Sequence, residues 1–401
     1  MPNFPAAVAT QYASFGFVTP TYDTKSLATL TPAICDALGG YGGPRDHTGH
    51  AEGKNLHFKQ EWGLTETTNV CLLLVDGLGV HNLNEFAKDA PFLTELNEAH
   101  TMAMSGFPST TATSMGLVGT GQGGGVTGLI GYSALSPHTG VVGNFVSWKD
   151  IGPPDKVQKH PVLFEELAHA GQRVTSVGLS RFDGSGLTQA ALRGTHYVAA
   201  ETSAETVRAT LKAAQQPGFT YAYWSELDKA GHIFGVGSAQ WRNELRVVDR
   251  IARELAAQLK PGVTLIITAD HGMVNVDFKQ RIDIADDYQM ARGTRALAGE
   301  PRCVQVYFNS PQAARTAYPI WREKLDTCAV LLTKDELIES QLYGDMQPHV
   351  HQWLGDFVAI MADRATLVDS TQMSRMALNL KGVHGSLTRE EVEIPGIVHV
   401  I

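Results

Sequence analysis

A chain of 401 residues has room for one large α/β domain or two ordinary ones. Its 43% hydrophobic and 18% charged content describes a folded globular protein and excludes a disordered one. A net charge of −9, with no Lys/Arg block, argues against nucleic acid as the main partner. An anionic small substrate stays open, because a bound metal can override the global sign locally.

The first 68 residues read as irregular, rich in Thr, Gly and Pro, with a weak helical patch over 26–38. Residues 70–75 form a continuous apolar run ending in Asp76-Gly77, the pattern of a buried parallel strand and its turn. A short helix is predicted over 112–118, after Pro108. The stretch 119–131 holds seven glycines and reads as a mobile loop. A helix over 162–170, a strand over 174–178, a helix over 202–216 and a strand over 219–224 come next. The clearest helix is 238–259, where Leu245, Val248, Ile251, Leu255 and Leu259 recur at helical spacing and Ser238 can cap. The strand 263–267 then leads into Asp270-His271.

Between 278 and 380 the pattern changes. Strands are predicted at 303–308 and 357–361, and helices at 312–325 and 334–342. Strands alternating with helices predict a three-layer α/β/α sandwich around a mostly parallel sheet. The expected division is an extension at 1–68 packed on a core at 69–277, an inserted subdomain at 278–380, and a return to the core at 381–401. No apolar run approaches the ~18 residues of a membrane span. The segment Met1–Val8 lacks the basic start and apolar centre of a signal peptide. Four scattered cysteines (Cys35, Cys71, Cys303 and Cys328) form no CxxC and read as reduced thiols. These features predict a cytoplasmic protein.

Five fragments carry chemistry. Asp76 follows a buried strand, where an unpaired carboxylate is costly and a cation is one remedy; a turn or helix-cap role before Gly77 is the plainer reading when it is taken alone. Asp228 and His232 lie four residues apart and share a helical face. Glu226, just before them, is a possible supporting or third-metal carboxylate, and a surface ion pair with Lys229 explains the pair equally well when taken alone. Asp270 and His271 can converge on one ion only on a turn, which Gly272 permits. His384 stands between Gly382-Val383 and Gly385, though a lone His is more often structural. Thr110 and Thr111 lie where a helix begins, and there the dipole favours a developing alkoxide; ordinary capping is the alternative. The glycine-rich stretch lacks the Lys-Ser/Thr ending of a P-loop.

In this order, Val75-Asp76-Gly77, Phe107-Pro-Ser-Thr-Thr111, Asp228…Gly231-His232, Ala269-Asp-His-Gly-Met273 and Val383-His-Gly385 resemble the alkaline phosphatase superfamily. The closer likeness is to its type I phosphodiesterase/nucleotide pyrophosphatase branch. The resemblance spans about residues 69–386 and leaves the first 68 unexplained. It implies two metal ions, zinc by preference and manganese as a tolerated substitute. One would be held by Asp76, Asp270 and His271, with Thr111 as nucleophile, and the other by Asp228, His232 and His384. The branch usually follows its nucleophile with Phe-Pro-Asn, whose Asn grips a phosphoryl oxygen. Here Ala112, Thr113 and Ser114 occupy those places, so Thr110 and Ser114 are the remaining candidates for substrate contact.

The expected activity is phosphodiesterase or nucleotide pyrophosphatase chemistry through a phospho-threonine intermediate, on a small phosphoester or nucleotide-like substrate. A phosphomonoesterase or phosphomutase-like transferase on the same scaffold is the alternative. A metal-stabilised binding protein that has lost the reaction is a third reading.

Overall fold

The computed structural model describes residues 4–39 and 54–401. Parts of the expected N-terminal extension, residues 1–3 and 40–53, lie outside the described residues. The strands that organise the chain are β1 (Asn69–Val75), β2 (Val174–Gly178), β3 (His196–Ala199), β4 (Gly218–Trp224), β5 (Thr264–Ala269), β6 (Thr294–Glu300), β7 (Cys303–Phe308), β8 (Ala329–Thr333), β9 (Phe357–Met361) and β10 (Gly396–Val400).

The central sheet has the order β10-β5-β1-β4-β2-β3 and is parallel except for β10, which runs antiparallel along β5. All seven residues of β1 are buried, because the strand is covered on both faces. That is why its sequence is a continuous apolar run rather than an alternation. The edge strand β10 keeps only part of its length from solvent, so its signal is weaker. Register matters more than order here. Val75 at the end of β1 pairs with Trp224 of β4 on one side and Ala269 of β5 on the other. Three strands therefore finish level, and the residues just after them emerge together at one edge of the sheet.

The helix Ala239–Gln258 buries Trp241, Leu245, Val248, Ile251 and Leu255 on one face. The Ser238 hydroxyl caps it by accepting from the Trp241 amide at 3.2 Å. The N-terminal part is more ordered than its composition predicts. It holds helices Ala6–Ser14, Leu27–Ala37 and Lys54–Trp62. The second of these is almost wholly buried, and its Thr31 hydroxyl donates to the Val118 carbonyl at 2.5 Å.

The glycine-rich stretch is a correction. It is not a mobile loop: the helix Thr111–Thr120 runs through Gly119, a helical turn follows at Gly124–Thr127, and most of the segment is buried. The glycines are there for close approach. A Cβ on Gly119 would sit 1.7 Å from the Ala191 carbonyl oxygen.

Strands β6, β7, β9 and β8, in that order, form a separate antiparallel sheet. The helix Pro311–Leu325 packs on it, with Trp321, Phe357 and Val306 in a core of its own. The strand β6 has no counterpart among the predicted elements. It is tied to the central part by Ser133, whose hydroxyl lies 3.1 Å from the Gly299 carbonyl and accepts from the Gly299 amide at 2.9 Å. Among the described residues no helix is long and apolar enough to cross a membrane.

Candidate metal centre

Asp76 follows β1, Asp270 and His271 follow β5, and the helix Glu226–Phe234 follows β4 directly. The level strand ends bring these together. The turn after β1 needs Gly77, at φ +76°, because a Cβ there would lie 2.9 Å from the Asp228 Cβ. His384 arrives from the C-terminal return. The paired residues Gly382-Val383 bind Asn275 and Val274 beside the β5 turn.

Two clusters result. Ligand atoms of Asp76, Asp270 and His271 lie within 4.8 Å of one another, and so do those of Asp228, His232 and His384. In the first, His271 Nε2 is 3.5 Å from Asp76 Oδ1 and 3.6 Å from Asp270 Oδ2. In the second, Asp228 places Oδ2 3.3 Å from His232 Nε2 and Oδ1 3.8 Å from His384 Nε2. The clusters adjoin: the His271 and His384 rings stack with centroids 3.6 Å apart.

The hydrogen bonds around the clusters fit a pair of cations. His232 Nδ1 is 2.8 Å from the Gly382 carbonyl, His271 Nδ1 is 3.0 Å from the Gly272 carbonyl, and His384 Nδ1 is 2.8 Å from the Ser109 carbonyl. A carbonyl only accepts, so in each ring Nδ1 carries the proton. In the neutral rings, the form that binds a cation, all three Nε2 atoms therefore direct a lone pair inward. The carboxylates are divided in the same way. Tyr223 donates its hydroxyl to Asp76 Oδ2, while the Gly77 and His271 amides donate to Asp270 Oδ1 at 3.1 and 3.0 Å. The other oxygens, Asp76 Oδ1 and Asp270 Oδ2, are buried without a hydrogen-bond partner, as is Asp228 Oδ1. Three orphaned carboxylate oxygens beside three free imidazole nitrogens suit zinc or a similar ion.

The electrostatics agree. Burial, and then the negative charges of Asp270 and Asp228, push the Asp76 carboxyl well above the usual range. Burial also raises Asp270. Burial would raise Asp228 too, but the imidazoles of His232, His384 and His271 outweigh it and hold its carboxyl low. His232 rises to about 9: burial opposes its charge, and the Asp228 carboxylate prevails. Burial and the neighbouring His271 drive His384 well below its ordinary value. Without a cation, this much buried negative charge is poorly compensated.

Thr111 is the first residue of the helix Thr111–Thr120, with Thr110 before it in extended geometry. Its Oγ1 is 3.4 Å from His271 Nε2, at the edge of the first cluster. Thr110 is buried, and its hydroxyl has no partner. Ser114 is fully buried. Its hydroxyl donates to the Asp270 carbonyl at 2.8 Å, which engages it with the turn after β5. Ser105 donates to the same carbonyl. Glu226 departs from expectation. It pairs with Lys229 at 2.9 Å and Arg181 at 3.8 Å on the surface. Lys229 thus serves Glu226, which leaves Asp228 to the cluster.

Two residues near the centre carry no signal in the sequence. Tyr223 supports Asp76 from the neighbouring strand. Glu300, at the end of β6, is 7% exposed, and burial pushes its carboxyl up to about 8.

Comparison with known proteins gives a consistent picture. The description type I phosphodiesterase / nucleotide pyrophosphatase matches residues 70–387. No curated protein matches the chain. Among solved structures, human ectonucleotide pyrophosphatase / phosphodiesterase 5 is similar at TM-score 0.65 and 15% identity, covering 82% of this chain and 87% of that one. An inactive murine form of that protein in complex with AMP is similar at TM-score 0.62 and 16% identity, with 82% and 87% covered. Phosphonoacetate hydrolase from Sinorhizobium meliloti 1021, in complex with phosphonoformate, is similar at TM-score 0.59 and 19% identity, with 83% and 89% covered. At these identities the solved structures speak for the fold, and the match over residues 70–387 carries the assignment. The chain belongs to the type I phosphodiesterase / nucleotide pyrophosphatase family, and it is a hydrolase acting on phosphoester or diphosphate bonds.

Proposed function

We propose that the chain is a two-metal phosphodiesterase or nucleotide pyrophosphatase that works through a phospho-threonine intermediate on Thr111. The observation that carries this reading is the pair of adjoining clusters, each with inward-facing Nε2 atoms and orphaned carboxylate oxygens, beside a helix-start hydroxyl. Asp76, Asp270 and His271 would hold one ion, and Asp228, His232 and His384 the other. Zinc suits the mixed oxygen and nitrogen donors, and manganese is the substitute to test. Such a pair supplies positive charge to the attacking and leaving oxygens of an in-line displacement.

Thr111 Oγ1 loses its proton to water and bonds to phosphorus as the bond to the leaving oxygen breaks. Water then attacks the same phosphorus, the Oγ1–P bond breaks, and the hydroxyl takes back a proton. The position of Thr111 at a helix start favours the alkoxide that forms. The AMP complex of the murine neighbour makes a nucleotide a reasonable organic part. The similarity to phosphonoacetate hydrolase makes phosphonates a necessary member of the substrate panel.

Replacing Thr111 by Ala is expected to abolish hydrolysis of bis(p-nitrophenyl) phosphate while leaving metal content near that of the parent. A parental rate in that variant removes the covalent route. Faster turnover of p-nitrophenyl phosphate than of the diester reassigns the enzyme as a monoesterase. Bound zinc with no turnover of any ester or phosphonate favours a binding protein.

A further inference from the structure

Glu300 is a buried acid near the site that neither cluster uses, and unlike Glu391, which Arg302 pairs, it has no cationic partner among the described residues. Both of its carboxylate oxygens are buried and lack a hydrogen-bond partner, and no ion pair reaches it among the described residues. A buried carboxylate in that condition is costly to keep, so its partner is expected to come from outside the chain. Its surroundings are the loops of the site itself. A Cβ placed on Gly385, next to His384, would lie 3.3 Å from Glu300 Oε2. A Cβ on Gly131 would lie 3.8 Å from the same oxygen and 3.8 Å from Pro108 Cγ, three residues before Thr111. Both glycines have positive φ, at +121° and +152°. The absence of side chains at these two positions is what leaves space around the carboxylate. The Thr110 hydroxyl and the Tyr132 backbone are near enough to favour the charged form, but neither completes a hydrogen bond to it.

We propose that Glu300 is a substrate-recognition residue, its carboxylate accepting a hydrogen bond from a hydroxyl on the organic group of the phosphate ester. The proposal rests on the phosphohydrolase reading above. Once ionised, above its raised pKa of about 8, its carboxylate only accepts and phosphoryl oxygens also only accept, so in that form Glu300 is unsuited to gripping the phosphate. It is suited to an alcohol such as that of a nucleoside sugar. It arrives from β6, outside the central sheet, so the reacting phosphorus and the organic group are handled by different parts of the fold.

The test compares two esters with the same leaving group on the metal-loaded full chain. Bis(p-nitrophenyl) phosphate has no hydroxyl on its organic part, and the p-nitrophenyl ester of thymidine monophosphate has one. Glu300→Ala is expected to lose roughly 10-fold or more in kcat/KM on the nucleotide ester, mostly through KM, and less than about 3-fold on the other. Glu300→Gln is expected to fall between, because its amide carbonyl still accepts. Metal content is expected to stay unchanged. Equal losses on both esters, or none on the nucleotide ester, overturn the proposal. Turnover of bis(p-nitrophenyl) phosphate by the parent reports separately on the phosphohydrolase reading. Calorimetric binding of AMP against phenyl phosphate gives the same comparison without turnover: only AMP binding is expected to weaken in Glu300→Ala, and equal weakening of both overturns the proposal.

Discussion

Replacing Asp76 by Asn separates the cost of the buried carboxylates from their use. In the metal-free protein, Asp76 lies within 4.8 Å of its partners in the first cluster, one of them the carboxylate of Asp270. Two negative charges at that distance repel by about 3 kcal/mol at an effective dielectric near 20. Burial raises both carboxyls, which favours proton uptake that relieves this repulsion, so the measurement belongs at alkaline pH. For 401 residues, an unfolding entropy of about 2.1 cal/mol/K per residue gives roughly 0.8 kcal/mol for each degree of Tm. Asp76→Asn is therefore expected to raise the metal-free Tm by up to about 4 °C. With metal present that advantage shrinks toward zero. Two sites each filled at ~100 times their Kd add about 5 kcal/mol, or roughly 6 °C. Loss of an anionic ligand that weakens one site ~100-fold removes about half of that increment. The assay is a thermal melt in chelator and in excess zinc, for parent and variant. A variant less stable than the parent in chelator, with an undiminished zinc increment, refutes the assignment of Asp76 as an inward-facing ligand.

Two further outcomes are expected from the same geometry. Glu300 rises from 4.5 to about 8 and His232 from 6.5 to about 9 on folding, and Asp76 rises in the same direction. Groups raised in this way contribute stability that is complete below the unfolded pKa and lost as pH climbs through the folded one. The metal-free protein is thus expected to lose stability in urea titrations between pH 6.5 and 9, and Glu300→Gln to flatten the decline; a rise over that range contradicts the burial argument. Tyr223→Phe removes the hydroxyl that donates to Asp76 Oδ2. It is expected to weaken zinc binding about 10- to 100-fold with a smaller effect on the metal-free Tm, measured by competition with a chromophoric chelator. Unchanged affinity would make that hydrogen bond incidental.

The fragments of the candidate centre are legible in the sequence because each lies at a place where pattern and position coincide. Buried parallel strands are unbroken apolar runs, so their ends are visible, and Asp76 and Asp270 stand at two of those ends. What the runs do not announce is register. Only the pairing of Val75 with both Trp224 and Ala269 makes separate fragments one site. Tyr223 is hidden for that reason. It is one of the alternating aromatics of β4, and its neighbour Tyr221 points its hydroxyl at Met115 Sδ, 3.3 Å away. Just the residue opposite Leu74, one step further along, reaches Asp76. The glycine run misleads for a related reason. Composition registers conformational freedom and close packing identically, and the Ala191 carbonyl that demands Gly119 lies on a distant helix.

Glu300 marks the limit of that legibility and, on the proposal above, the place where specificity is built. A carboxylate closing a strand of Ala, Leu and Gly has no chemical pattern around it, and nothing local distinguishes it from a solvated acid. Its meaning comes from Gly131 and Gly385, which reach it from the central part of the chain. On the proposed reading, the clusters at the ends of the central strands serve any phosphoryl group. Discrimination among organic groups must then come from elements that can vary without disturbing the level strand ends. The segment carrying β6 offers such elements, because one face of its sheet packs in a core of its own, while Cys303, Val330, Leu332, Val358 and Ile360 on the other face join the central core. Substitutions around Tyr132 and Glu300 should therefore alter substrate choice at constant metal content, whereas substitutions at the strand ends should remove metal and turnover together.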